Sequence, residues 1–102
     1  YICLKNRGGV HIGDNSMIAA QCYIIDSNHG IKAGELIQNQ KNTTEKIYIG
    51  NDVWIAANCT IVKGVKINDG AVIAAKSFVN KEVEKNSVVG GIPARHIKYR
   101  GE

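Results

Sequence analysis

A six-residue period runs through the second half of the chain and constrains its fold more than any other feature. An aliphatic residue opens each of six successive units, namely Ile49, Ile55, Ile61, Ile67, Ile73 and Val79. The fifth position of each unit is small or β-branched and holds Val53, Cys59, Val65, Ala71, Ser77 and Val83. The same frame occurs upstream at Ile12, Ile18 and Ile24, with Ser16 and Cys22 in the fifth position. A period of six fits neither an α-helix nor a plain strand, and it indicates a short strand and a turn, repeated.

Three such units close one triangular coil of about 18 residues, and stacked coils pair their strands in parallel. The first-position side chains then point inward as a column, the fifth-position residues fill the corners, and sixth-position side chains such as Trp54 face outward. The composition agrees, because the chain has 24 Ile and Val against 2 Leu, and Gly and Asn punctuate it. An irregular β-sandwich would space its strands by about 8–12 residues. We therefore predict an all-β chain that folds as a parallel β-helix.

Two segments leave the repeat. Residues 30–46 are polar and out of frame, which predicts a loop extruded from the coils, and such loops commonly carry function. Residues 90–102 are expected to cap the end of the coils, with 95–100 as a short helix. We expect one domain over 1–102, with coils at about 1–29 and 47–89. Because the first residue is Tyr1, the chain is expected to be the C-terminal part of a longer protein.

Charge and cysteine content set weaker bounds. The net charge of +4 is mild, and the basic residues concentrate between 63 and 100, which fits either a solvated face or a site for an anionic ligand. The three cysteines show no C-x-x-C spacing, which favours reduced, buried thiols and a cytoplasmic location. Cys22 and Cys59 should lie close together in one corner column, unbridged. The sequence has no apolar run of the ~18–20 residues that a membrane span needs.

His29 is the last residue of a regular unit and precedes the polar insertion directly. An imidazole titrates near neutral pH and can accept a proton from a hydroxyl, so His29 is either a general base or an ordinary surface histidine. Asp26 lies three residues earlier and would either orient this ring or form a turn with nearby backbone amides. The turn is the favoured interpretation.

Several runs in the second half of the chain resemble one family closely. They are Ile49-Gly50-Asn51-Asp52-Val53-Trp54-Ile55, Gly64-Val65-Lys66-Ile67, Asp69-Gly70-Ala71-Val72-Ile73-Ala74-Ala75-Lys76-Ser77 and Gly91-Ile92-Pro93-Ala94. With the histidine and the insertion that follows it, they resemble the acetyltransferase branch of the hexapeptide-repeat family. That branch includes maltose and galactoside acetyltransferases, streptogramin acetyltransferases and O-acetyltransferases of surface polysaccharides. The resemblance implies a left-handed coil, a handedness that general rules of chain connection would not give.

The resemblance also implies an activity and a site. The chain would transfer an acetyl group from acetyl-CoA to a hydroxyl of a sugar or polysaccharide precursor, as a homotrimer with each site between two subunits. His29 matches the general base of the family, and the hydroxyl would attack the thioester directly. The expected coenzyme A contacts fall into three groups: Trp54, Ala57 and Ala75 along the pantetheine arm, Ile92 and Pro93 beside the adenine, and Lys76, Lys81, Arg95 and Lys98 at the phosphates.

Three other interpretations stay open or are disfavoured. The chain would otherwise be a non-catalytic β-helix scaffold, or an O-acetyltransferase that modifies an antibiotic. Zinc, as in the carbonic anhydrases that share this fold, is not expected, because His11, His29 and His96 do not have the required spacing. The chain departs from the sugar-acetyltransferase pattern at Ala56 and Asn68, where Gly is usual, which leaves the acceptor undetermined.

Overall fold

The computed structural model describes residues 3–5, by their backbone, and residues 9–101. Short strands make up most of the regular structure. In chain order the strands are β1 (Cys3–Lys5), β2 (Val10–Ile12), β3 (Met17–Ile18), β4 (Tyr23–Ile25), β5 (Ser27–Asn28), β6 (Thr43–Thr44), β7 (Ile47–Ile49), β8 (Trp54–Ile55), β9 (Thr60–Ile61), β10 (Lys66–Ile67), β11 (Val72–Ile73), β12 (Phe78–Val79), β13 (Ser87–Gly91) and β14 (Ala94–Tyr99). One 3₁₀-helix, Ile37–Asn39, lies between β5 and β6.

The strands form three parallel sheets that are the faces of a triangular prism. Face A contains β2, β7 and β10, face B contains β3, β8, β11 and β13, and face C contains β1, β4, β9 and β12. The chain visits the faces in the order A, B, C and then repeats. We name the turns between successive faces the AB, BC and CA corners. The result is the left-handed parallel β-helix that the repeat and the resemblance predicted.

The register confirms the predicted coil length. Ile49 pairs with Ile67 on face A, Ile55 with Ile73 on face B and Ile61 with Val79 on face C, each pair 18 residues apart. These first-position side chains are almost fully buried and form the core with the fifth-position residues at the corners. Aliphatic β-branched residues suit this column because each one packs directly on its equivalent in the next coil.

Burial decreases toward the start of the described chain. Ile24 is completely buried beneath β1, whereas Ile12 is 39% exposed and Ile18 is partly exposed. The reason is that β2 and β3 are edge strands of faces A and B among the described residues, so no described coil covers them.

The corners rely on residues that tolerate a left-handed backbone. Gln21, Asn58 and Lys76 occupy equivalent places at the BC corner with φ of 61°, 61° and 60°. At the CA corner this place is taken by Gly64, with φ of 77°. Polar residues and Gly adopt this conformation at lower cost than β-branched residues do, which explains why Asn and Gly recur between the aliphatic positions.

The last coil departs from the predicted frame. Val83, expected at a corner as a fifth-position residue, instead pairs with Ile67 on face A. Ile73 likewise pairs with Val89, 16 residues on rather than 18. The unit that begins at Val79 is therefore two residues shorter than the other units. The frame that starts at Ile49 ends there.

The predicted helix at 95–100 is also wrong. Residues 94–99 form β14, which pairs antiparallel with β13 through a turn at Ile92 and Pro93. A helix would have left the outer edge of β13 unpaired, whereas the hairpin satisfies those backbone groups and ends face B.

Candidate functional site

His29 stands at the base of the extruded segment, at the CA corner. β5 and β6 pair antiparallel and close this base, and Gly30 N donates to Lys41 O at 3.2 Å. The imidazole is exposed and borders two open clefts of the loop. One cleft is polar and is lined by Gln38, Gln40, Lys41, Asn42 and Thr44, while the other is lined by Glu35, Leu36, Ile37 and Gln38. A hydroxyl-bearing ligand can therefore reach this ring from solvent.

Gln40 holds the loop around His29 in one conformation. Its Oε1 accepts from Lys32 N at 2.9 Å, and its Nε2 donates to Lys32 O at 3.0 Å and to Glu35 O at 3.2 Å. The side-chain amide thus replaces a strand partner for a segment that otherwise has little regular structure. A Cβ built on Gly30 would lie 2.7 Å from Gln40 Oε1, so the residue next to His29 must be small. Sequence reasoning did not single out Gln40.

Asp26 connects the base of the loop to the coil above it. Its carboxylate is fully buried, and Oδ2 accepts from Gly9 N at 2.8 Å. The favoured interpretation of a local turn is wrong for this contact, because its partner lies 17 residues away on the preceding coil. The return of the loop is fixed by Glu45, which accepts from Lys63 Nζ at 2.8 Å and whose N donates to Asp26 O at 3.0 Å.

The BC corner brings together five of the residues that the resemblance places at the coenzyme. Ala57 and Ala75 occupy equivalent places in successive coils, and Lys76 N donates to Ala57 O at 3.0 Å. The turn of Ile92 and Pro93 lies beside them, because the preceding Gly91 N donates to Ser77 Oγ at 3.2 Å. The small side chains leave the backbone of this corner open to close approach by a ligand.

A second group of these residues lies at the C-terminal end of the prism. Lys81, Pro93 and Arg95 border a cleft whose apolar floor is Val79, Val83 and Val89, the end of the core. His96, which also borders it, has Nδ1 2.6 Å from Ser87 Oγ and packs on the Tyr99 ring, so its side chain has structural partners. Lys98 is exposed on β14 opposite Val88.

Trp54 points outward from face B, as its place in the repeat predicted, and is 48% exposed. It stands in register between Met17 and Val72 and borders a cleft with Asn15, Asp52 and Arg100. Face B is the side of the prism opposite the CA corner. One chain therefore keeps Trp54 and His29 on opposite sides, and a site that uses both needs a second copy.

Other candidates have structural partners. His11 is exposed and stacks on Tyr48 with ring centroids 5.0 Å apart. Cys22 and Cys59 are buried at the BC corner of adjacent coils, and both are free, as predicted. Burial raises the pKa of the Cys59 thiol above its ordinary value, and the nearby Cys22 thiol adds to the rise.

Among residues 3–5 and 9–101 no group of three or more His, Cys, Asp and Glu is placed to hold a metal ion. In the same part of the chain we find no helix of the length and apolarity that crossing a membrane requires.

A chain of six-residue units that stack into coils, with a histidine-bearing loop, defines a class of protein, and comparisons with known proteins identify the family. The family model described as bacterial transferase hexapeptide (six repeats) matches residues 46–81. The chain belongs to this hexapeptide-repeat family.

Relatives share both sequence and structure. The chain is 39% identical over 89 residues to the galactoside O-acetyltransferase of Escherichia coli K12, covering 87% of this chain and 43% of the relative. A galactoside acetyltransferase solved in complex with coenzyme A superposes with a TM-score of 0.90 at 36% identity, covering 96% of this chain and 48% of that one. The chloramphenicol acetyltransferase of Morganella morganii is 52% identical over 52 residues, 51% of this chain and 25% of the relative. The chain thus spans about half, or less, of the length of these relatives.

Proposed function

We propose that the chain carries the catalytic coils of an acetyl-CoA-dependent O-acetyltransferase that acts on a hydroxyl of a sugar or polysaccharide precursor. The observation that carries this proposal is the superposition on a coenzyme A complex of a galactoside acetyltransferase over 96% of the chain. The open BC corner fits the coenzyme, because Ala57 and Ala75 present backbone without bulky side chains. Lys76, Lys81 and Arg95 supply positive charge around this corner and the adjoining C-terminal end for the phosphates.

His29 is the proposed general base. The acceptor hydroxyl gives its proton to the imidazole as its oxygen attacks the thioester carbonyl carbon. A C–O bond forms, the C–S bond breaks, and the imidazolium returns the proton to the departing thiolate. Cys22 and Cys59 are each only 1% exposed, which agrees with direct transfer rather than an acyl-enzyme on either thiol.

The opposition of His29 and Trp54 supports an oligomer, and we propose a homotrimer. If Trp54, Ala57 and Ala75 border the reacting thioester, the base must come from another copy of the chain. A closed symmetric assembly satisfies this need for every site at once.

The test is acetyl-CoA-dependent release of coenzyme A with a panel of sugar acceptors. His29→Ala should lower kcat by about 10²–10⁴-fold, the usual contribution of a general base. His11→Ala is the matched control, since the exposed His11 ring stacks on Tyr48 and borders neither cleft of the loop, and it should retain activity. Full activity of His29→Ala would show that the base is another group.

A second acceptor class follows from the chloramphenicol acetyltransferase of Morganella morganii, whose identity to this chain is 52% over the matched half. Chloramphenicol and other hydroxyl-bearing antibiotics therefore belong in the same panel. A kcat/KM for an antibiotic well above that for every sugar would favour this second candidate. A scaffold without a site would show no stabilisation by acetyl-CoA, whereas a ligand at 100 times its Kd adds about 2.7 kcal/mol.

A further inference from the structure

Trp54 borders a cleft whose two sides differ in chemistry. Its apolar wall is made by Met17, Trp54 and Val72, which stand in register on three successive coils of face B. Met17 is 62% and Trp54 48% exposed, so this wall is open to solvent in the single chain. The opposite edge, at the AB corner, is polar and contains Asn15, Asp52 and Arg100.

The polar edge is held rigidly. Arg100 Nη1 donates to Asp52 Oδ2 at 3.0 Å and to Gly70 O at 3.1 Å, which fixes the guanidinium at the end of β14. The backbone supports it, because Arg100 N donates to Asn86 O at 2.8 Å. Both side chains remain about half exposed or more, so the carboxylate and the guanidinium keep lone pairs and N–H groups for a ligand.

Position along face B separates this cleft from the coenzyme contacts. Each strand of the face runs from the AB corner, with Asp52, past Trp54 to the BC corner, with Ala57. The cleft and the proposed pantetheine contacts thus lie on opposite sides of the same indole ring. A molecule in the cleft would approach the reacting thioester from the side that the coenzyme does not occupy.

The charges of Asp52 and Arg100 restrict which ligands fit the cleft. A carboxylate paired with a guanidinium is neutral as a unit, accepts hydrogen bonds through one partner and donates them through the other. Beside an aromatic wall, this arrangement complements a ring that has an apolar face and hydroxyl groups at its rim. A strongly anionic ligand would gain no net attraction from this neutral pair.

We propose that Asp52 and Arg100 form the hydroxyl-recognition edge of the acceptor subsite, where a neutral pyranose lies against Trp54. The assignment of this subsite to the acceptor rests on the proposed acetyl transfer, whereas the binding of a pyranose to it does not. Neither residue was expected from the repeat, because Asp52 is at a turn position and Arg100 lies beyond the coils.

Binding can be measured without catalysis because Trp54 is the single tryptophan of the chain. Titration with methyl galactoside, glucoside and mannoside should change its fluorescence for at least one sugar. Asp52→Asn and Arg100→Gln should each weaken that binding by about tenfold. Asn tolerates the φ of 54° at position 52, so the first variant keeps the turn.

Asp14→Asn is the matched control, since Asp14 is exposed at the same AB corner one coil earlier and does not border the cleft. It should bind as the wild type does. In steady-state kinetics the two test variants should raise KM for the sugar about tenfold and leave KM for acetyl-CoA unchanged.

Several results would overturn the proposal. They are sugar binding that is unaffected in both variants, or galacturonate bound more tightly than any neutral sugar. Sugar binding that depends on Asp52 and Arg100 without any acetyl transfer would refute the proposed function and leave the subsite standing. Acetyl transfer with an unchanged KM for the sugar in both variants would refute the subsite and leave the proposed function standing.

Discussion

Ile61 shows how much a single first-position side chain contributes to the free energy of unfolding. It is fully buried and lies between Ile24 and Val79 in the column of face C. Ile61→Ala would leave a cavity that the rigid coils cannot close, so we expect the free energy of unfolding to fall by about 2–5 kcal/mol. Urea denaturation followed by circular dichroism measures this change.

The matched control is Ile31→Ala, the same substitution on the extruded loop, where the side chain is 84% exposed. Its effect should stay within about 0.5 kcal/mol. Equal losses for the two variants would contradict the assignment of Ile61 to the core.

Because the thiol of Cys59 is buried, we expect the stability of the fold to depend on pH. Burial raises its pKa in the folded chain, so the folded state holds the thiol proton more tightly than the unfolded state does. The resulting stability is complete below the ordinary thiol pKa of about 8.5 and is lost as the pH rises toward the folded value. The wild type should therefore lose more unfolding free energy between pH 7 and pH 10 than Cys59→Ser. Ser is a suitable replacement because Ser77 occupies the next place in the same corner column. Identical pH dependence of the two proteins would refute this account.

At the scale of elements, the extruded loop depends on Gln40. Gln40→Ala removes three side-chain hydrogen bonds to Lys32 and Glu35 and frees the segment that borders His29. We expect kcat for acetyl transfer to fall about ten- to a hundredfold through misplacement of the imidazole, with little change in KM for acetyl-CoA. The thermal midpoint should change little, because the loop lies outside the core.

Asn39→Ala, one residue away on the exposed 3₁₀-helix, is the control for Gln40 and should keep its activity. A Gln40→Ala enzyme with the kcat of the wild type would show that the loop does not need this amide. The pH profile of kcat should keep its form in Gln40→Ala, since the proposed base is retained.

The coils could be predicted from the sequence because each six-residue unit carries its own signal. The aliphatic column from Ile49 to Val79 and the outward place of Trp54 both follow from local position in the repeat. Val83 could not be placed in this way, because a two-residue shortening of the preceding turn changes the frame without an obvious marker. β14 was missed because its conformation comes from pairing with the edge of β13, a partner that local propensity does not reveal.

The candidate site was predictable to a similar extent. His29 was singled out because it directly precedes the break in the period, which is a local signal. The contact of Asp26 with Gly9 and that of Gln40 with Lys32 depend on how separate segments meet, and residue spacing alone does not give this. The Asp52–Arg100 pair joins positions 48 residues apart, and no motif connects them.

At the scale of the whole molecule, the triangular cross-section determines where the site can form. His29 extends from the CA corner, and Trp54 lies on face B, which is the opposite side of the prism. No movement of a short loop brings these side chains together within one stack of coils. If both side chains act in one site, that site combines the loop of one copy with face B of another.

Complementation between two inactive variants tests this requirement most directly. His29→Ala and Trp54→Ala chains, each carrying a different tag, are co-expressed, and assemblies that contain both are purified and assayed for acetyl-CoA-dependent transfer. Each variant alone should have little activity. In a homotrimer that contains both chains, about one third of the sites would combine an intact His29 with an intact Trp54, so activity should return to about that fraction of the wild type. Mixed assemblies no more active than the better of the two parent variants would contradict a site built between copies.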